Sequence, residues 1–103
     1  MNDVTATVVL PACNEAASLR EVITGIREGH PDFEILVVDD GSTDATAAVA
    51  REAGAGILSH PYNIGNGAAV KTGLRRATGE WVILMDADGQ HDPADIARLW
   101  EHR

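Results

Sequence analysis

The sequence has a single cysteine, Cys13, and so no internal disulfide. Nothing in it requires an oxidising compartment, and the reducing cytoplasm suits it. No apolar run approaches the roughly 20 residues that cross a bilayer. The amino terminus, Met1 to Val4, lacks the basic-then-apolar order of a secretion signal. A membrane span within the segment and a targeting leader are therefore excluded from the reading. Basic residues are scarce: eight Lys and Arg stand against sixteen Asp and Glu, for a formal charge of −8. They are also scattered from Arg20 to Arg103, so no basic patch offsets the repulsion of nucleic-acid phosphates, and nucleic acid is not an expected partner. Glycine-rich phosphate loops are missing too. Pro11 to Glu15, after the first apolar run, holds no glycine and hence no G-x-G-x-x-G, and G-x-x-x-x-G-K-[ST] occurs nowhere. The four His residues lack metal spacing, and an EF-hand loop counted from Asp86 would need Gly and Glu where His91 and Ala97 stand.

What is present fits one layered globular domain, since 103 residues are too few for two ordinary ones. Ala6 to Leu10, Ile35 to Val38 and Trp81 to Met85 are short, β-branched and unalternating runs, as in strands buried on both faces of a parallel sheet. Leu19, Val22, Ile23 and Ile26 recur at helical spacing, and so do Val70, Gly73, Leu74 and Ala77. Thr43 to Ala53 reads as a third helix with Ala45, Ala48, Val49 and Ala53 on one side and Gly54 as its C′ residue. A short strand over Gly56 to Ser59 fills the gap after it. A last helix is expected from Asp92-Pro93, with Ile96, Leu99 and Trp100 on its apolar side. The alternation predicts an α/β fold: a doubly wound, mostly parallel, Rossmann-like sheet of about four strands with helices on both faces. In strand order 3-2-1-4 the winding reverses between the first and fourth strands, and ligands bind in the crevice beyond the carboxyl ends there.

Polar clusters follow three of these strands: Pro11-Ala12-Cys13-Asn14-Glu15, Asp39-Asp40-Gly41-Ser42-Thr43-Asp44, and Asp86-Ala87-Asp88-Gly89-Gln90-His91-Asp92. With strands about 4.8 Å apart, three neighbouring ends span on the order of 10 Å, comparable to a nucleoside with its phosphates. Asp86, Asp88 and the Gln90 amide oxygen offer oxygen-only ligation with room for water and phosphate oxygens, which suits Mg²⁺ or Mn²⁺. The bland alternative is a solubilised turn. Asp39 is placed to accept hydrogen bonds from a base, while Asp40 and Asp44, with Ser42 or Thr43, are expected to cap the next helix. Glu15 in the first helical turn has dipole stabilisation as its plain explanation. Around Gly65, Gly67 and Gly73, small residues let the backbone approach either a ligand or a neighbouring strand.

Cys13 near a helix start, with His60 or His91 as a base, has no spacing that supports a nucleophile and reads as inert. A strand ending in Asp86-Ala87-Asp88-Gly89 resembles the nucleophile loop of the haloacid dehalogenase superfamily, whose first Asp attacks phosphorus. That loop normally opens its domain and continues with Thr or Val where this chain has Gln90.

Val-Val-Leu-Pro-Ala-Cys-Asn-Glu, Val-Val-Asp-Asp-Gly-Ser-Thr-Asp and Met-Asp-Ala-Asp-Gly-Gln-His-Asp-Pro, in this order, resemble the nucleotide-binding half of a family 2 glycosyltransferase with the GT-A fold. Asp-Ala-Asp-x-Gln-His is most similar to the branch resembling dolichyl-phosphate mannosyltransferase. The resemblance implies that Pro11, Ala12 and Glu15 line a nucleoside pocket, that Asp39 holds the base, and that Gly65 to Ala69, with Gly65 and Gly67, lies beside the nucleotide. It implies that Asp86, Asp88 and Gln90 bind a divalent metal, Mg²⁺ or Mn²⁺, under the diphosphate of a GDP- or UDP-linked sugar. Cys13 departs from the Tyr or other larger residue common there. The implied reaction is metal-dependent, inverting sugar transfer, with a polyprenyl phosphate as one acceptor. On this reading residues 1–103 are the sugar-nucleotide-binding part, cut before the acceptor-binding half, and any acceptor base lies beyond residue 103. Apolar surface left bare would then favour a homodimer, and the whole protein would work at the cytoplasmic face of a membrane. The competing class is a binding-only nucleotide module.

Overall fold

The computed structural model describes residues 6–85. Seven elements alternate along them: β1 (Ala6–Ala12), α1 (Ala16–Gly29), β2 (Glu34–Asp40), α2 (Thr46–Glu52), β3 (Gly56–His60), α3 (Asn66–Arg76) and β4 (Trp81–Leu84). The helix expected from Asp92 lies outside the described residues. All strand pairs are parallel and the order is β3-β2-β1-β4, so the winding reverses between β1 and β4 as expected.

Helices cover both faces. On one, Val8, Leu10 and Ala12 of β1 and Ile35 and Val37 of β2 form a core with Leu19, Val22, Ile23 and Ile26 of α1 and Ala50 of α2. The four α1 residues are the stripe read from its periodicity, and all four are buried. On the other face α3 packs against β1 and β2, where Val9, Val38 and Ala69 meet. This contact is close because a helix position facing the sheet has no side chain. A Cβ on Gly73 would lie 2.4 Å from Val9 Cγ1, inside any real contact distance. The α3 face therefore differs from the expected one: Ala69 and Gly73 are buried, while Leu74 is 46% exposed.

α2 is also shorter than its Ala-rich composition suggests. It begins at Thr46 rather than Thr43, and Ala45 and Ala48 face solvent instead of forming its inner side. The turn ahead of it is held by side chains: Asn14 Oδ1 accepts the N–H groups of Thr43 and Asp44, at 2.8 and 3.2 Å, and Asp44 Oδ1 accepts the Thr46 N–H at 2.9 Å. Its C-terminus matches the expectation. Gly54 has φ +84°, its N–H donates to Arg51 O, and Ala55 N–H donates to Ala50 O, the paired bonds of a Schellman motif. Arg27 Nη2 adds a 2.6 Å bond to Gly54 O and ties this end to α1.

At the amino-terminal edge, Glu34 Oε1 accepts from the hydroxyls of Thr7 and Thr78 and from Thr78 N–H, and Thr7 Oγ1 accepts from Gly79 N–H. Fully buried Thr7 is satisfied in this way, and the chain entering β4 is anchored to β1. No helix among the described residues is long and apolar enough to cross a membrane.

Candidate functional site

Two strands run further than their apolar cores. Pro11 and Ala12 belong to β1, and Asp39 and Asp40 belong to β2, so these residues form the carboxyl rim itself rather than loops beyond it. Parallel register sets Ala12 beside Asp39, Asp39 beside Ser59, and Asp40 beside His60. Glu15 takes the N-cap position of α1, and its N–H donates to Thr46 Oγ1 at 3.0 Å. Pro11, Ala12, Glu15 and Asp39 thus share one end of the sheet. Met85 N–H donates to Val9 O at the end of β4 beside β1. Asp86 is the next residue in the chain, but Asp86, Asp88 and Gln90 lie outside the described residues. Among the described residues no three His, Cys, Asp or Glu side chains come together to hold a metal.

The two adjacent aspartates have different surroundings. Asp39 is 7% exposed, and its Oδ1 accepts from Ser42 N–H at 3.0 Å. No described residue is seen donating to its other oxygen. Asp40 is 4% exposed and saturated: Oδ1 meets His60 Nδ1 at 2.8 Å and Ile64 N–H at 2.9 Å, and Oδ2 accepts from Gly65 N–H at 2.9 Å. Asp40 therefore does not cap α2, as its position in sequence suggested. It crosses to the loop at 61–65 and holds the entry to α3. His60 Nε2 lies 2.9 Å from the Thr72 hydroxyl, extending the link into α3. The same loop passes so near the end of β2 that a Cβ on Gly41, at φ +71°, would lie 2.3 Å from the Tyr62 carbonyl carbon.

Burial works against ionisation of Asp40, but the bond from His60, the Ile64 and Gly65 N–H groups and the His60 charge outweigh it and hold the carboxyl below the usual range. A carboxyl more acidic in the folded than in the unfolded chain adds stability above its unfolded value, and that stability disappears as pH falls through the lowered one. The wild type should accordingly be more stable than Asp40→Asn at neutral pH, and the gap in urea midpoint should shrink steadily as pH falls into the acid range. A gap that stays constant with pH would contradict this.

Gly65, at φ +124°, spends its N–H on Asp40, so its role here is to turn the chain into α3. Gly67 in the first turn of α3 is exposed, with open space where a Cβ would stand, and it is the more accessible of the two expected glycines. Cys13 is half-buried and accepts a 3.2 Å contact from Asn63 Nδ2, which draws the 61–65 loop toward the β1 end.

Several residues organise the rim through contacts between segments distant in sequence. Asp44 does serve the start of α2, since Oδ1 accepts from Thr46 N–H and hydroxyl, but Oδ2 also accepts from Ala16 N–H at 3.2 Å and so joins α1. The Thr46 hydroxyl and these N–H groups hold its carboxyl below the ordinary range. Asn14, at φ +56°, is bonded to Ser42, Thr43 and Asp44. An Asn in a strand-to-helix turn is the one cue that pointed there, because Asn tolerates the left-handed region. His60 and Thr72 had no cue at all, since their partner is set by strand register.

Residues 7–102 match the family described as Glycosyl transferase family 2. An uncharacterized glycosyltransferase of Mycobacterium tuberculosis is 44% identical over 93 residues, which cover 90% of this chain and 41% of that protein. An undecaprenyl-phosphate 4-deoxy-4-formamido-L-arabinose transferase of Pseudomonas fluorescens is 36% identical over 104 residues, 90% of this chain and 30% of that one. Among solved structures, a glucosyl-3-phosphoglycerate synthase from M. tuberculosis, in complex with Mn²⁺, UDP-glucose and phosphoglyceric acid, superposes with TM-score 0.78 at 33% identity. It covers 91% of this chain and 37% of that one. The chain thus spans less than half the length of each of these proteins.

Proposed function

The chain belongs to glycosyl transferase family 2, and from that membership we propose that residues 1–103 bind the nucleoside diphosphate sugar and the divalent cation of a sugar-transfer reaction. The observation that carries the reading is the shared rim: Ala12 and Asp39 are register partners at the carboxyl ends of β1 and β2, beside the point where the winding reverses. In this reading Pro11, Ala12 and Glu15 line the nucleoside, Asp39 accepts from a base N–H with the oxygen that Ser42 leaves open, and Gly67 lets the backbone approach the nucleotide. The donor is a GDP- or UDP-linked sugar.

Asp86, Asp88 and Gln90 would hold the cation, Mg²⁺ or Mn²⁺. Their donors are all oxygens, two of them anionic, the set a hard divalent ion takes. The cation's contribution is to neutralise charge on the departing diphosphate. The Mn²⁺ and UDP-glucose bound to the mycobacterial synthase support both assignments. A polyprenyl phosphate is the acceptor we favour, in line with the undecaprenyl-phosphate transferase among the relatives. A phosphate is already anionic at neutral pH and attacks without a strong base, so no residue here is given that task. The aspartate-nucleophile reading loses its ground, because Asp86 to Gly89 follows residues 7–85 of the glycosyl transferase family match instead of opening a domain.

The test is a calorimetric titration of the chain with GDP, UDP and their sugar conjugates, with and without Mn²⁺. One base should be preferred and Mn²⁺ should strengthen binding, with little sugar transfer by these residues alone. Absence of nucleotide binding would overturn the proposal, and vigorous transfer by the 103 residues would overturn the assignment of the chain to the donor side only.

A further inference from the structure

Base recognition by a carboxylate depends on where its free oxygen points, and β2 fixes only the backbone of Asp39. Among the described residues its side chain is oriented by one bond, from Ser42 N–H to Oδ1 at 3.0 Å. Ser42 is itself held from the neighbouring turn: its Oγ accepts from Asn14 N–H at 2.9 Å. Asn14 Oδ1 then accepts from Thr43 N–H at 2.8 Å, Thr43 Oγ1 at 3.2 Å and Asp44 N–H at 3.2 Å. A continuous chain of hydrogen bonds therefore runs from the β1–α1 turn, through the residues after β2, to the Asp39 carboxylate. Asn14 suits its place for two reasons: at φ +56° it sits in the left-handed region that Asn enters at low cost, and its carboxamide oxygen can accept several donors.

We propose that Asn14 is a positioning residue for base selection, setting the direction of the Asp39 carboxylate relative to Pro11, Ala12 and Glu15. The inference rests on the reading of Asp39 as the base acceptor. It separates from a plain structural role because the two turns are also joined elsewhere. Glu15 N–H donates to Thr46 Oγ1, and Ala16 N–H donates to Asp44 Oδ2. Those bonds, and the one from Asn14 backbone N–H to Ser42 Oγ, remain when the Asn14 side chain is changed, so the loss falls on the Thr43 and Asp44 N–H groups that hold the turn just after Ser42, whose own N–H orients Asp39.

The experiment measures affinities of the chain for UDP, GDP, ADP and inorganic pyrophosphate in Mn²⁺, for the wild type, Asn14→Gly, Asn14→Asp and Asp39→Asn. Asn14→Gly keeps the positive φ and removes the acceptor. By loosening the turn that carries Ser42 it should reduce the preference for the best nucleotide over the others by about tenfold, the scale of one misaligned hydrogen bond between Asp39 and the base, while pyrophosphate affinity holds. Asn14→Asp, which keeps both the acceptor and the backbone tolerance, should restore the preference. A uniform loss for all four ligands in Asn14→Gly, or no rescue by Asn14→Asp, would overturn the inference. If Asp39→Asn erases the preference and Asn14→Gly leaves it intact, the inference fails alone. A wild type without base preference, or one unchanged in Asp39→Asn, removes the reading of Asp39 and this inference with it.

Discussion

Asp88→Ala should abolish the Mn²⁺-dependent part of nucleotide affinity, a loss of roughly a hundredfold, and leave metal-free binding where it is. The size follows from charge. A divalent ion against a diphosphate keeps its place through a few oxygen donors, and Asp88 is one of only two carboxylates among the three assigned to it. Asp88→Asn keeps an oxygen and loses the charge, so it should fall between the two. Calorimetry at matched nucleotide concentration, with and without Mn²⁺, reads both. If Asp88→Ala retains the full Mn²⁺ increment, the cation is held elsewhere. The base preference supplies an internal control: with Asp39 in the role proposed for it, that preference should survive in Asp88→Ala.

The periodicity of Leu19, Val22, Ile23 and Ile26 identified the buried face of α1 because an amphipathic helix on a sheet has one inner stripe, and β-branched runs marked the strands for a similar reason. The alternation of elements implied a parallel sheet, and the order 3-2-1-4, usual for the first half of a doubly wound one, is the order found, with its reversal between β1 and β4. Apolar patterning failed where polar groups are buried. The apolar run of β2 stops at Val38 with Asp39 expected at its end, whereas both Asp39 and Asp40 belong to the strand. Ala-rich composition carries α2 back to Thr43, whereas the residues before Thr46 are held in a turn by a side chain 29 residues from Thr43 in sequence, through Asn14 Oδ1. The helical pattern turned Leu74 inward, because spacing does not reveal that Gly73 brings α3 close to Val9. Each miss reflects a contact between segments distant in sequence, which local periodicity does not encode.

That lesson is sharpest for the neighbouring aspartates, whose replacement should have opposite consequences. Asp40→Ala should cost about 3 kcal/mol of folding stability, because it removes a charged acceptor shared by two backbone N–H groups and a histidine. The 61–65 loop and the start of α3 should loosen together, lowering nucleotide affinity only as a secondary effect. Among the described residues Asp39→Ala removes one bond, from Ser42 N–H, together with a carboxylate largely shielded from water. Its stability change should stay within about 1 kcal/mol of zero. Its effect on binding should be the larger of the two, with base preference reduced by roughly tenfold or more as the acceptor for the base is lost. Chemical denaturation and nucleotide titration of the two variants side by side give four numbers, and the pattern matters more than any one of them. Stability must follow Asp40 and base preference must follow Asp39. Were Asp39→Ala the destabilised variant, the division of labour between the two carboxylates would be reversed, and the rim would have to be rebuilt around Asp40 as the group that meets the base.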